Sequence, residues 1–111
     1  MSGITTHVLD TAHGRPAAGV RARLERRGQT TWELIGSGQT DADGRLRNLL
    51  ATPLESGTFR ITFDTASYFA AMDLETFYPE ASIVFTVVDP SQHYHVPLLL
   101  SPFGYSTYRG S

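Results

Sequence analysis

The sequence predicts an all-β fold, an antiparallel β-sandwich of seven to eight strands with one short α-helix. Three observations carry that prediction. Apolar residues recur with period two in short runs, as half-buried strands require. Clusters of Gly, Pro and Asp punctuate those runs. Only one segment has helical spacing, and no strand–helix–strand rhythm suggests a parallel sheet.

Ile4 to Leu9 reads as the first strand, followed by a turn through Asp10, His13, Gly14 and Pro16. Val20, Ala22 and Leu24 alternate with Arg21, Arg23 and Glu25 in a half-buried strand. Trp32, Leu34 and Gly36 share either the inward face of the next strand or the opposite one. Asp41-Ala42-Asp43-Gly44 is a turn. Phe59, Ile61 and Phe63 against Thr58, Arg60 and Thr62 give the cleanest alternation in the chain. Ser67 to Leu74 then breaks the pattern: Tyr68, Ala71 and Met72 stand at helical spacing, Asp64 or Thr65 can cap the start, and Pro79 closes the stretch. Two strands follow, from Ala81 to Val88 and through Tyr94, Val96, Leu98 and Leu100.

The 111 residues fit one domain, residues 1–111. A chain of this size buries roughly two thirds of its unfolded surface, enough for an unstapled core. Apolar residues make up 41% and aromatic residues 11%, values of a globular protein. The net charge of -2 offers no electrostatic footprint for nucleic acid or an anionic membrane. With no cysteine there are no disulfides, thiolate metal sites or cysteine nucleophile. Met1 to Thr6 lacks a basic or apolar leader, and Ala81 to Val88 is far below the ~20 residues of a membrane helix. The expectation is a soluble, cytoplasmic protein.

Four features can carry chemistry. His7 lies in the first strand on the face of Thr5 and Leu9; alone it is an ordinary surface imidazole. His93 and His95, two apart, project from one strand face while Tyr94, Val96, Leu98 and Leu100 take the core side. With His7 they form a weak three-histidine metal pattern, which lacks any further ligand or a helical H-E-x-x-H. The Asp41–Gly44 turn begins like a calcium loop but lacks its remaining ligands, so a turn explains it better. It places Arg45 at the mouth of the next strand, where an arginine is either solvated or a fixed anion anchor. There is no G-x-S-x-G elbow and no glycine-rich phosphate loop. The tail, Phe103 to Ser111, carries three aromatics in six residues, so it packs in place or covers a site.

These features together resemble one family. Tyr108-Arg109-Gly110-Ser111 looks like the C-terminal signature of the 5-hydroxyisourate hydrolases, the enzymatic relatives of the hormone carrier transthyretin. His93-Tyr94-His95-Val96-Pro97-Leu98-Leu99-Leu100-Ser101-Pro102-Phe103-Gly104-Tyr105-Ser106-Thr107 fits that family's motif over its whole length. Thr6-His7-Val8-Leu9-Asp10, the turn Thr40 to Arg45, and the stretch from Ser67-Tyr68-Phe69 through Phe77-Tyr78-Pro79-Glu80 also match. The resemblance covers nearly the whole chain. It implies a transthyretin-like sandwich assembled as a homotetramer, a dimer of dimers with active sites where the dimers face each other. It implies hydrolysis of 5-hydroxyisourate, a urate oxidation product, with catalytic groups at His7, Arg45, His95 and Ser111. Arg45 and Ser111 would also bind substrate, and Tyr108 would narrow the pocket. No cofactor or metal is implied. A non-catalytic carrier of transthyretin type is the competing expectation, and a structural or adhesion module a third, resting on the sandwich alone.

Overall fold

Alternation in the first strand decides which side chains enter the core. The computed structural model describes residues 3–111; Met1 and Ser2, the start of the stretch expected to lack a targeting sequence, lie outside the described residues. In β1 (Gly3–Asp10), Ile4, Thr6, Val8 and Asp10 are buried, whereas Thr5, His7 and Leu9 face the other way. The chain continues through β2 (Arg15–Pro16), β3 (Arg21–Arg27), β4 (Trp32–Gln39), β5 (Arg45–Leu46) and β6 (Gly57–Phe63). After α1 (Thr65–Ala70) come β7 (Ala81–Val87), β8 (His93–Ser101) and β9 (Gly104–Thr107).

One sheet has the order β2-β1-β8-β9, with β5 also on β1; the other has the order β4-β3-β6-β7. Ile4, Val8, Leu98 and Leu100 from the first meet Leu24, Phe59, Ile61 and Phe63 from the second, all buried. This is the predicted sandwich, with β2 and β5 as two-residue strands. One pairing departs from the antiparallel expectation: β1 and β8 run parallel, in register from Gly3↔His93 to Asp10↔Leu100. They lie at opposite ends of the chain, so no hairpin forces them to oppose.

The ambiguous β4 pattern is resolved by a bulge. Leu24 faces Gly36 but Glu25 faces Leu34, so Ile35 is an extra residue in the ladder. Trp32 and Leu34 therefore do not share a face with Gly36. Trp32 lies under the Arg60 and Arg27 guanidinium groups, and Ile35 packs against the core.

The helix begins at Thr65, directly after Asp64, one of the two caps the sequence offers. It thus precedes the segment of helical spacing by two residues and ends at Ala70, short of the expected Leu74. The Asp64 carboxylate accepts from the Ser67 backbone N–H at 3.1 Å, which fixes the start. Asp73, at φ +56°, and the Leu74 N–H bond to the Phe69 carbonyl turn the chain out of it. Phe69 enters the core. Beside it the Tyr68 hydroxyl donates to the buried Asp10 carboxylate at 2.7 Å, and His13 donates to the same group from its Nδ1 at 2.7 Å and its backbone N–H at 3.0 Å. Burial opposes the Asp10 charge, but these donors prevail and hold its pKa below the ordinary carboxylate value. Burial and the same carboxylate push the Tyr68 pKa up to about 12.

Tyr68→Phe removes a bond to a buried charge and should cost on the order of 1.5–3 kcal/mol. The urea midpoint should fall accordingly, and an unchanged midpoint would show that Asp10 does not anchor the helix. Because the folded-state pKa of Asp10 is depressed, its contribution is complete above about pH 3.9 and is lost as pH falls through the lower folded value.

Candidate active site

Parallel pairing of β1 and β8 puts their outward residues on one surface, with Thr5 beside His95, Gly3 beside His93 and His7 beside Pro97. The Thr5 hydroxyl lies 2.8 Å from both His95 Nδ1 and His93 Nε2. A hydroxyl has one proton, so Thr5 donates to one ring and accepts from the other.

The Asp-Gly turn supplies the next groups. The Asp41 carboxylate accepts from the backbone N–H groups of Asp43 at 2.9 Å and Arg45 at 3.0 Å. Gly44 has φ +74°, and a Cβ there would lie 2.4 Å from the Val8 carbonyl oxygen, so no side chain fits. This close approach lets β5 pair with β1 and sets Arg45 directly opposite His7. His7 Nε2 lies 2.9 Å from the Asp43 carbonyl oxygen. A carbonyl only accepts, so Nε2 carries the proton, and a neutral His7 keeps its lone pair on Nδ1.

The tail meets the same surface. It continues past β9 to a bridge between His95 and Gly110, whose N–H donates to the His95 carbonyl at 2.9 Å. A Cβ on Gly110 would stand 2.6 Å from His95 Cδ2, so the bare backbone lies against the imidazole. Arg109 fixes the approach by stacking 4.5 Å from the Tyr94 ring centroid and donating to Gln92 at 3.0 Å.

The result is an open cleft of about 480 Å³, lined chiefly by Thr5, Arg45, Arg47, His93, His95 and Ser111. A larger groove of about 840 Å³, between β2 and α1, shares none of these residues. Burial, then the neighbouring His7, His93 and Arg45, holds the His95 imidazole below the ordinary histidine pKa. Among the described residues, no three His, Cys, Asp or Glu side chains converge in a geometry that could hold a metal ion.

Of the five residues expected at a site, Arg45, His95 and Ser111 line this cleft, and His7 adjoins it through Arg45 and its electrostatic effect on His95. Tyr108 does not line it. It borders a separate cleft with Val84, Phe85, Tyr94 and Arg109 and is largely exposed. Sequence reasoning does not single out Thr5, Arg47 or Asn48, all of which line the cleft. Period two alone puts Thr5 on the face of His7; Arg47 and Asn48 follow β5 and carry no such signal.

Two sheets in this order, with a histidine- and arginine-lined cleft on one outer face, define a transthyretin-like sandwich with an ionisable site. The chain belongs to the HIUase/Transthyretin family, whose profile matches residues 4–110. The 5-hydroxyisourate hydrolase of Caulobacter vibrioides is 48% identical over 117 residues, spanning 100% of both chains. The solved 5-hydroxyisourate hydrolase of Klebsiella pneumoniae superposes with a TM-score of 0.86 at 38% identity, covering 97% of this chain and 98% of that one. Sea bream transthyretin in complex with thyroxine gives a TM-score of 0.91 at 32% identity, covering 96% and 93%.

His95 should titrate, by NMR, below the ordinary histidine value of about 6.5. Its depressed pKa means that the neutral ring dominates at neutral pH and protonates only as pH falls through the lower midpoint. His7→Gln removes one of the groups whose electrostatic effect opposes a charged His95 ring and should raise that midpoint. A His95 that titrates normally, or does not respond to His7→Gln, would contradict the electrostatic coupling described.

Proposed function

We propose that this chain hydrolyses 5-hydroxyisourate, opening its ring amide to a ureidoimidazoline carboxylate. The observation that carries this reading is the meeting of His7, Arg45, His95 and Ser111 on one outer sheet face, in a chain 48% identical to a hydrolase of that name. A neutral imidazole is the right base for water at neutral pH, and the depressed pKa of His95 keeps it neutral. His7 and His95 move protons between the attacking water and the leaving nitrogen. Arg45 holds the substrate's anionic oxygens and stabilises charge on the attacked carbonyl through its planar pair of donors. Ser111 contacts the substrate through its hydroxyl. No metal or cofactor enters this scheme.

The cleft is open to water when the chain stands alone. Pairing across this face in a dimer of dimers would exclude water from around His95 and Arg45, strengthen their polar interactions and bring Tyr108 to narrow the pocket. His93 keeps its contact with water through a second open cleft, which it borders with Gln92 and Arg109. The working unit is thus a homotetramer of single-domain chains. The likeness to thyroxine-bound transthyretin favours a carrier by fold alone, but function resides in the site, and this site is lined with ionisable groups.

The parent protein should speed the decay of freshly made 5-hydroxyisourate, followed by ultraviolet absorbance. His7→Ala and His95→Ala should each lose about 10²–10⁴-fold in rate while staying folded. Arg45→Lys keeps the charge but loses the two-pronged donor set, so a loss of about 10²–10³-fold is expected. Parent-like rates in a folded variant would remove that residue from the scheme. Sedimentation should give about 49 kDa, four copies of the 12.2 kDa chain, as a closed symmetric assembly requires. Deleting Tyr108 to Ser111 should abolish turnover while leaving each sandwich folded; a fully active monomer or an active truncation would overturn the assembly model.

A further inference from the structure

The Thr5 hydroxyl joins two imidazoles that differ in exposure. His95 is half-buried against the tail, and His93 is exposed to water. Both contacts are 2.8 Å, short enough for proton transfer along the line His95 Nδ1, Thr5 Oγ1, His93 Nε2. His95 Nε2 has no protein partner among the described residues, which leaves it available to a ligand in the cleft. We propose that Thr5 and His93 form a proton wire that connects His95 to solvent during hydrolysis. This deepens the hydrolase reading above and rests on it.

The wire answers a specific difficulty. An imidazolium at His95 is penalised by burial and by His7, His93 and Arg45 around it. A base in that position needs an outlet for its second proton. When His95 Nε2 takes a proton from the attacking water, its Nδ1 proton passes to Thr5 Oγ1, and the Thr5 proton passes to His93 Nε2. His93 then sheds its Nδ1 proton to bulk water. In the second half, His95 Nε2–H protonates the leaving nitrogen as the C–N bond breaks, and its Nδ1 is refilled from Thr5. Thr5 is refilled from His93 Nε2, and His93 regains a proton at Nδ1 from water. Every group returns to its starting state. The proton taken from the attacking water is thus matched by the one given to the leaving nitrogen, and the new carboxylic acid ionises afterwards. Thr5 and His93 act only through His95 and are positioning residues.

The test compares the parent with Thr5→Val, Thr5→Ser and His93→Gln in turnover of 5-hydroxyisourate, with and without added imidazole. Thr5→Val keeps the shape but breaks the wire, and His93→Gln removes its outlet. Each should lower kcat on the order of 10²-fold, the lower end for positioned acid–base groups, with KM little changed. Thr5→Ser keeps the hydroxyl and should stay near the parent. Imidazole should restore His93→Gln in proportion to its concentration, which a packing role would not allow. The double variant should be no slower than Thr5→Val, since the two positions act in series. If Thr5→Val does not fold, His93→Gln at its exposed position decides alone. An active parent with an unaffected His93→Gln, or a loss confined to KM that imidazole does not relieve, overturns the wire alone. An inactive parent overturns the hydrolase reading and the wire with it.

Discussion

The in-register parallel pairing of β1 with β8 is the constraint on which the rest depends. Its inward residues, Ile4, Val8, Leu98 and Leu100, build one wall of the core, and its outward residues place Thr5 beside His95. A slip of one residue in either strand would exchange the two sets, burying imidazoles and exposing Ile4 and Val8 or Leu98 and Leu100. Core and cleft are therefore specified together. The cleft also gains rigidity, because its central groups stand on the two middle strands of a sheet rather than on loops.

Two glycines complete the site by what they lack. Gly44 lets the turn close against Val8, which carries Arg45 to His7; Gly110 lets the tail lie flat on the His95 ring. Both act through backbone approach, so the chemistry is set as much by where a side chain is impossible as by the ionisable groups themselves. Asp10 adds a distant support. It sits three residues beyond His7 on the same strand and ties that strand to α1 and to the turn before β2.

Much of this was legible in the chain. Period two located the strands and set Leu24, Ile61, Leu98 and Leu100 on their apolar faces, because burial on one face is what alternation encodes. It also put His93 and His95 on a non-core face. The Asp64 cap is legible in the sequence, but the helix end is not, because Ala71 and Met72 continue the apolar spacing after the helix has ended at Ala70. The Ile35 bulge was hidden because one extra residue looks like continued alternation on the other face. Strand direction leaves no local mark, so the parallel pairing and the adjacency of His7 to Arg45 could not be read from spacing; the resemblance grouped His7 with Arg45 in one site but implied nothing about strand direction. Thr5 was illegible for a different reason: threonine is an ordinary strand residue, and only a neighbour 90 positions away gives its hydroxyl a role.

That separation has a consequence for the chain as it is made. β1 leaves the ribosome well before β8, because its central partner is encoded more than 80 residues later. Until His93 to Ser101 emerges, one edge of β1 has only water, or another nascent chain, to satisfy its backbone groups. Closing so long a loop is slow, so the sandwich waits for β8 to emerge before it can fold. The hazard is transient and grows with the crowding of polysomes. Nascent chains should be prone to cross-pairing at β1, while the finished protein, with that edge filled by its own C-terminal half, is immune.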